Sequence, residues 1–84
     1  MHSNWIENEK GLQCTLAFPS FSALAAFLVE IGKVADEQNH HPDAVIRKAV
    51  IVDLTLVTHD AGNKLTEKDY RLAASIDQLI NKLL

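Results

Sequence analysis

Three of the four histidines in this 84-residue chain lie between residues 40 and 59. His40 and His41 are adjacent in the stretch DEQNHHPDAV, and His59 follows the next apolar segment. Imidazole is the side chain whose unperturbed pKa, about 6.5, lets it give or take a proton near neutrality. These residue types are therefore compatible with a proton-handling site, a metal site, or a polar turn without chemistry.

The sequence around the histidine pair leaves these interpretations open. Pro42 disfavours a helical conformation for His41, and adjacent extended residues point their side chains in opposite directions. Both imidazoles can face one pocket only if the chain turns here, which a left-handed Asn39 before a proline favours. In the simplest alternative, one histidine stabilises the C-terminal end of a helix through its dipole and the other is solvated.

A zinc site would need three or four ligands at compatible spacing. The ligands available near the pair are His40, His41, His59, Asp60 and Asp69. Adjacent histidines rarely bind the same ion, however, and Asp69 is explained as the acid three residues after a helix-capping Thr66. We therefore expect no metal.

Composition and charge argue against several other classes of protein. The net charge is −3 and no lysines or arginines cluster, whereas nucleic acids and anionic membranes require clustered positive charge. No apolar run is long enough to span a membrane, and the start MHSNWIENEK lacks an apolar signal region. The lone Cys14 excludes an internal disulfide and a multi-cysteine zinc site. We expect one cytoplasmic domain over residues 1–84, without a nucleic-acid or membrane partner.

Alternating apolar residues predict the strands that position the histidines. The predicted strands span residues 3–8, 11–18, 43–46 and 49–58. Gly11 suits a tight hairpin between the first two, because glycine adopts positive φ freely. In the last strand the apolar residues share one face, and Asp53 and Thr55 mark the wetter face. Unbroken alternation would place His59 on the polar side.

A periodicity of 3.6 residues predicts two helices, at residues 20–38 and 67–83. Ser20 or Ser22 caps the first, whose apolar stripe comprises Phe21, Leu24, Ala25, Leu28, Ile31 and Ala35. The order β-β-α-β-β-α has no βαβ rhythm. It predicts an α+β fold in which two helices pack on one face of a four-stranded antiparallel sheet.

The stretches DEQNHHPDAV and VDLTLVTHDAGNKLTEKDYRLAASID resemble the pterin-4a-carbinolamine dehydratase family. The matching residues are Asp36, His40, His41, Pro42, Asp43, Thr58, His59, Asp60, Gly62, Leu65, Thr66, Asp69, Leu72, Ala73, Ile76 and Asp77. Upstream, Trp5, Gly11, Phe18, Phe21 and Phe27 resemble the family's tryptophan, hairpin and Phe-x-x-Phe pattern. Family members usually carry aromatic residues after His-His-Pro-acidic, and here AVIRKAV has none.

The resemblance implies an enzyme that removes water from a 4a-hydroxy-tetrahydropterin, leaving a quinonoid dihydropterin, with neither a metal nor an organic cofactor. His40, His41 and His59 would be the acid/base set, with Asp69 orienting one of them. We expect His41 and His59 to face one pocket with His40 at its rim. The residues expected to border the substrate are Asp36, Asn39, Pro42, Thr58 and Asp60.

The alternative, also from the resemblance, is a non-catalytic binding module that acts as a dimerisation or assembly cofactor for an unknown protein partner.

The apolar surface also predicts assembly. The final helix carries apolar side chains on more than one side, which a monomer would leave exposed. The strand at residues 50–58 is long and lacks proline, so that it would be hazardous as an open edge. We therefore expect a homodimer or a homotetramer, as the resemblance also implies.

Overall fold

A computed structural model describes residues 4–84 as one four-stranded sheet and two long helices. The elements are β1 (Ile6–Asn8), β2 (Gly11–Ala17), α1 (Phe21–Gln38), β3 (Asp43–Arg47), β4 (Ile51–Leu56), the short 3-10 helix η1 (His59–Ala61) and α2 (Glu67–Leu83). The sheet order is β1-β2-β4-β3, and every neighbouring pair is antiparallel. The predicted α+β fold is confirmed. Ser3, where the first strand was predicted to begin, lies outside the described residues.

The apolar face of the sheet forms the core with both helices. Val52, Leu54 and Leu56 alternate along β4 and are fully buried, whereas the intervening residues are partly exposed. They share one cluster with buried residues of α1 and α2, so that both helices cover the same face. The strand periodicity therefore identified the core face correctly, because side chains alternate across a sheet.

Local capping sets the ends of α1. The Ser20 hydroxyl accepts a hydrogen bond from the Ala23 N–H at 3.1 Å, and Asn39 ends the helix in the left-handed conformation at φ 52°. The predicted buried stripe was partly wrong: Phe21 and Ala25 are exposed, and Phe27 is buried. Phe27 packs against a second aromatic ring with centroids 5.4 Å apart. Its large apolar area turns this face of the helix inward.

The prediction that residues 50–58 form an open edge is wrong. β4 lies between β2 and β3, and the edges of the sheet are the short β1 and the exposed β3. Pairing on both sides satisfies the backbone of the most buried strand, leaving the less apolar β3 at the edge. β4 therefore offers no open edge through which two copies of the chain could pair.

No helix among the described residues 4–84 is long and apolar enough to span a membrane.

α2 buries Leu72, Ala73 and Ile76 against the sheet. Near its end, Leu83 and Leu84 remain about half exposed. The C-terminal end of α2 therefore leaves apolar side chains exposed.

Ala49→Gly should stabilise the fold. Lys48 and Ala49, in the turn between β3 and β4, both adopt the left-handed conformation, at φ 54° and 66°. A left-handed residue with a Cβ costs about 1–2 kcal/mol, and glycine removes that cost while adding less than about 1 kcal/mol of unfolded-state entropy. We expect the free energy of unfolding in urea to rise by about 0.5–1 kcal/mol. The control Ala44→Gly, within β3, should lower it. A loss of stability in Ala49→Gly would contradict the turn geometry.

Candidate functional site

Each of the three histidines singled out from the sequence contacts one carboxylate. Two follow the end of α1, and the third begins η1 after β4. The pairs, measured from imidazole Nε2 to a carboxylate oxygen, are His40–Asp69 at 2.6 Å, His41–Asp36 at 2.8 Å and His59–Asp43 at 3.7 Å. Because Asp36 and Asp43 flank the histidine pair in sequence, these contacts bring all three imidazoles to residues 36–43, which we call the histidine turn.

His40 is the most buried histidine of the site. Its side chain is 11% exposed, and the Asp69 carboxylate that it contacts is fully buried. The expectation that His40 would lie at the rim is therefore wrong. Its backbone N–H donates to the Ala35 carbonyl at 3.1 Å, so that the chain folds back over the end of α1. This reversal at Asn39 aims the ring at the N-terminus of α2.

Asp69 is held by three groups in addition to the helix dipole. Its Oδ1 faces His40, and its Oδ2 accepts the Thr66 backbone N–H at 2.9 Å and the Thr58 hydroxyl at 2.7 Å. Burial by itself raises the pKa of this carboxyl. The hydrogen bonds from His40, Thr66 and Thr58 outweigh burial and hold the Asp69 pKa below its usual value. Asp69 is therefore a buried carboxylate that remains ionised at neutral pH.

His41 occupies the outer position that the sequence analysis gave to His40. Its side chain is 56% exposed, and its partner Asp36 in the last turn of α1 is 78% exposed. The two side chains bracket the left-handed Asn39 across five residues. In this position His41 has access to solvent and to any molecule that docks on the turn.

His59 is placed by a turn and not by strand alternation. Val57 and Thr58 are both buried, so that the alternation of β4 stops before His59. Its Nδ1 lies 2.8 Å from the Asn63 amide oxygen, and its Nε2 faces Asp43. Asn63 reaches this position with a left-handed backbone at φ 58°. The prediction that strand alternation would set the direction of His59 is therefore wrong, although the residue does come near the histidine turn.

The residues expected to border the substrate fall in two places. Asp36, Asn39 and Pro42 lie on the histidine turn. Thr58 and Asp60 instead line a cavity of about 400 Å³ at the start of α2. The lining of this cavity also includes Ala61, Thr66, Glu67 and Lys68, and contains no histidine. Thr58 is buried with its hydroxyl engaged, whereas Asp60 is exposed.

Three further residues support the site but were not predicted as site residues from the sequence. Asp43 and Asn63 contact His59, and Thr66 contacts both Thr58 and Asp69. Asp43 stood inside the recognised His-His-Pro-acidic motif, so that a signal for it was present. Asn63 had only its loop position, from which a side-chain contact with a histidine is not predictable.

No group of three or more His, Cys, Asp or Glu side chains within residues 4–84 is arranged to hold a metal ion. The buried Cys14 lies apart from the histidines, on the core face of β2. Burial, and to a lesser extent the charge of Asp77, raises the pKa of this thiol to about 11. Cys14 is therefore a packing residue and not a nucleophile at neutral pH.

Asp69→Asn should destabilise the fold in a pH-dependent way. The Asp69 pKa is lower in the folded state than in the unfolded state, so its stabilisation is complete above the unfolded value, about 3.9. It disappears as the pH falls through the folded value. At pH 7 we expect Asp69→Asn to lose about 2–3 kcal/mol, the scale of hydrogen bonds to a charged group. The difference in unfolding free energy between Asp69→Asn and wild type should disappear at acidic pH.

Urea unfolding as a function of pH measures this gap. Asp53→Asn is the matched control, because Asp53 also has a lowered pKa but is partly exposed on the opposite sheet face. Its bonds to Arg47 and Thr15 are open to solvent, and we expect a much smaller change. A gap for Asp69→Asn that stays constant down to strongly acidic pH would contradict the assigned ionisation.

A sequence profile of the family described as "Pterin 4 alpha carbinolamine dehydratase" matches residues 1–79 of the chain. Among similar proteins, "Putative pterin-4-alpha-carbinolamine dehydratase" of Roseiflexus castenholzii is 41% identical over 78 residues, covering 93% of this chain and 82% of that protein. A protein of the same description from Acidobacterium capsulatum is 42% identical over 76 residues, covering 90% and 80% of the two chains.

Two solved structures share the fold. One is a transcriptional coactivator/pterin dehydratase from Brucella melitensis, with a TM-score of 0.78 and 26% identity over 90% of this chain and 81% of that chain. The other is a pterin dehydratase-like protein identified as a RuBisCO assembly factor in the alpha-carboxysome. Its TM-score is 0.71, with 29% identity over 93% of this chain and 89% of that chain.

Proposed function

Because the chain belongs to the pterin-4-alpha-carbinolamine dehydratase family, we propose that it removes water from a 4a-hydroxy-tetrahydropterin to give a quinonoid dihydropterin. The observation that carries this proposal is the set of three imidazoles, each with its own carboxylate, two of them on the histidine turn and the third, His59, facing it through Asp43. A carboxylate beside an imidazole orients the ring and stabilises its protonated form. The site thus has several side chains that can donate or accept a proton.

The reaction needs two proton transfers. A proton delivered to the 4a-hydroxyl lets it depart as water, and the ring N5 gives up a proton as the new double bond forms. His40, His41 and His59 are the proposed acid/base set, and Asp69 is the residue that orients His40. The two transfers are assigned to the set and not to individual histidines. No step requires a metal or an organic cofactor.

The substrate would be bordered by the outer residues of the turn. Asp36, Asn39 and Pro42 are exposed or partly exposed beside His41, where a flat pterin has access to the imidazoles. Asp60 lies beyond His59, in η1. Carboxylates are suitable acceptors for the amino and N–H groups of a pterin edge.

A second candidate is a non-catalytic binding module that acts as a dimerisation or assembly cofactor for a protein partner. Two observations favour it: Phe21 and Val29 are 57% and 58% exposed on α1, and the segment after the histidine turn lacks aromatic residues. One solved relative is itself described as an assembly factor. The retained histidines and Asp69 favour the dehydratase, because a scaffold has no need of this buried polar arrangement.

We also propose a single cytoplasmic domain over residues 1–84 that forms a homodimer or homotetramer, with no direct nucleic-acid partner. The exposed β3 edge and the apolar residues of α1 support self-association, because both are surfaces that soluble proteins usually cover.

Titration with a stable 7,8-dihydropterin, followed by NMR of the histidine ring nitrogens, tests where the pterin binds. We expect the signals of His40, His41 and His59 to shift together and saturate. His2, which is outside the proposed set, is the internal control. A dihydropterin that shifts none of the three signals would contradict the proposed site.

A further inference from the structure

The hydroxyl groups behind Asp69 form a chain with only one possible direction. Asp69 is ionised and can only accept, so the Thr58 hydroxyl donates its single proton to Oδ2 at 2.7 Å. The Thr58 and Thr66 hydroxyl oxygens are also 2.7 Å apart. Since the Thr58 proton is already committed, Thr66 must be the donor in that contact. The order is therefore Thr66 to Thr58 to Asp69.

The order of donors determines which ring nitrogen of His40 carries the proton. Oδ2 of Asp69 is occupied by the Thr58 hydroxyl and the Thr66 N–H, which leaves Oδ1 turned toward the imidazole. An ionised carboxylate can only accept, so Nε2 of His40 must carry the proton in this contact. In the neutral ring, Nδ1 is then the unprotonated nitrogen.

Nδ1 of His40 has no hydrogen-bond partner among the described residues. Among the described residues, the one buried side-chain nitrogen or oxygen without a partner is Oε1 of Gln38. Nδ1 of His40 is not among such fully buried atoms, so it keeps some exposure to solvent in a side chain that is 11% exposed. It is the atom of this ring that a bound molecule can reach.

We propose that Thr58 is a positioning residue, whose hydroxyl holds the Asp69 carboxylate so that His40 is protonated at Nε2 and presents Nδ1 to the substrate. This inference rests on the proposed dehydratase function for its effect on rate. It replaces the substrate-bordering role expected for Thr58 from the sequence. Thr58 is 5% exposed and its hydroxyl already has two partners, so it has no free polar group to offer a ligand.

Thr58→Val removes the hydroxyl and nearly preserves the shape of the side chain. Asp69 then loses one of its two donors at Oδ2, so its pKa should rise. His40 should become a mixture of tautomers. The turnover rate for dehydration should fall about 10–100-fold, the scale found where the partner that orients a histidine is removed. Thr58→Ser, which keeps the hydroxyl, should restore wild-type behaviour.

Thr55→Val is the matched control. Thr55 lies three residues earlier in the same part of the chain, and its hydroxyl accepts from the Gln13 amide on the opposite sheet face. The same substitution there should leave the Asp69 titration, the His40 tautomer and the rate unchanged. Thr58→Ala serves the same comparison if Thr58→Val does not fold.

The readouts are the Asp69 carboxyl carbon shift against pH, the ring nitrogen shifts of His40, and the dehydration rate. A higher Asp69 titration midpoint in Thr58→Val, with rescue by serine, supports the proposal. An unchanged midpoint overturns it, even if activity falls, because Thr58 would then act on the substrate directly. A wild-type His40 protonated at Nδ1 in its neutral form also overturns it. Both NMR readouts remain decisive if wild type proves inactive, which would overturn the proposed function alone.

Discussion

His40→Gln should lower the turnover rate for dehydration of a 4a-hydroxy-tetrahydropterin by about 10²–10⁴-fold, the usual contribution of a positioned acid or base. Glutamine keeps an N–H donor for the buried Asp69 carboxylate, so the fold should survive. It has no titratable group, however, and cannot exchange a proton with the substrate. Stopped-flow rates, compared with urea unfolding of the same variant, separate the loss of chemistry from the loss of structure.

His41→Ala and His59→Ala should also lower the rate within that range, and both should remain folded because their side chains are more than half exposed. Gln78→Ala, on an exposed position of α2, is the control for a surface change. Wild-type rates in all three histidine variants would contradict their assignment as the acid/base set. A rate lost together with the free energy of unfolding would show only structural damage.

Gly11→Ala should destabilise the fold by about 3 kcal/mol or more. Gly11 begins β2 at φ 126°, and a Cβ built there would lie 2.2 Å from the Leu56 carbonyl oxygen. Backbone strain in such a region costs about 1–3 kcal/mol, and overpacking adds about 1–3 kcal/mol. The contact is with backbone and cannot be relieved by a side-chain rotation. Since natural domains have only about 0.05–0.15 kcal/mol of stability per residue, the loss is a large share of the total.

Gly32→Ala is the matched control for that substitution. Gly32 lies in α1, its backbone is helical, and no other element of the described chain comes within 4 Å of a methyl group placed there. Alanine should therefore raise the free energy of unfolding by up to about 1 kcal/mol through helix propensity. Urea unfolding of both variants gives the comparison. Equal stability of Gly11→Ala and wild type would mean that the β1–β2 hairpin does not approach β4 as described.

The helix boundaries were predictable because local interactions set them. The helices were predicted at residues 20–38 and 67–83, and they span Phe21–Gln38 and Glu67–Leu83. Ser20, Asn39 and Thr66 supply the capping signals within a few residues of each end. The alternation of β4 likewise identified its buried face, because side-chain direction in a strand follows position alone.

The order of the strands in the sheet and the buried face of α1 could not be predicted from the sequence in the same way. The central position of β4 depends on pairing with β2, as in the Cys14–Leu54 register, across a gap of 40 residues. In α1, the helical period of 3.6 residues was compatible with a buried stripe that contains Ala25 and with one that contains Phe27. Only packing against Phe18, just after β2, decided between them. Such outcomes depend on contacts that a local pattern does not contain.

The candidate site shows the same division. The motif identified the histidines and Asp69, but the burial of His40 depends on a contact with a residue 29 positions away. From spacing alone, His40 and His41 were interchangeable, and their roles as inner and outer residue were assigned in reverse. The left-handed Asn39 was anticipated, yet the direction in which the turn leaves each ring follows from docking against α2.

The rate at which wild type converts a synthetic 4a-hydroxy-tetrahydropterin to the quinonoid dihydropterin tests the central claim most directly. The measurement is a stopped-flow progress curve at fixed pH with substrate in excess, after treatment of the protein with a chelator. We predict multiple turnovers, at a rate proportional to protein concentration and unaffected by the chelator, because imidazoles supply the acid and base. A progress curve that coincides with the uncatalysed reaction would contradict the dehydratase assignment.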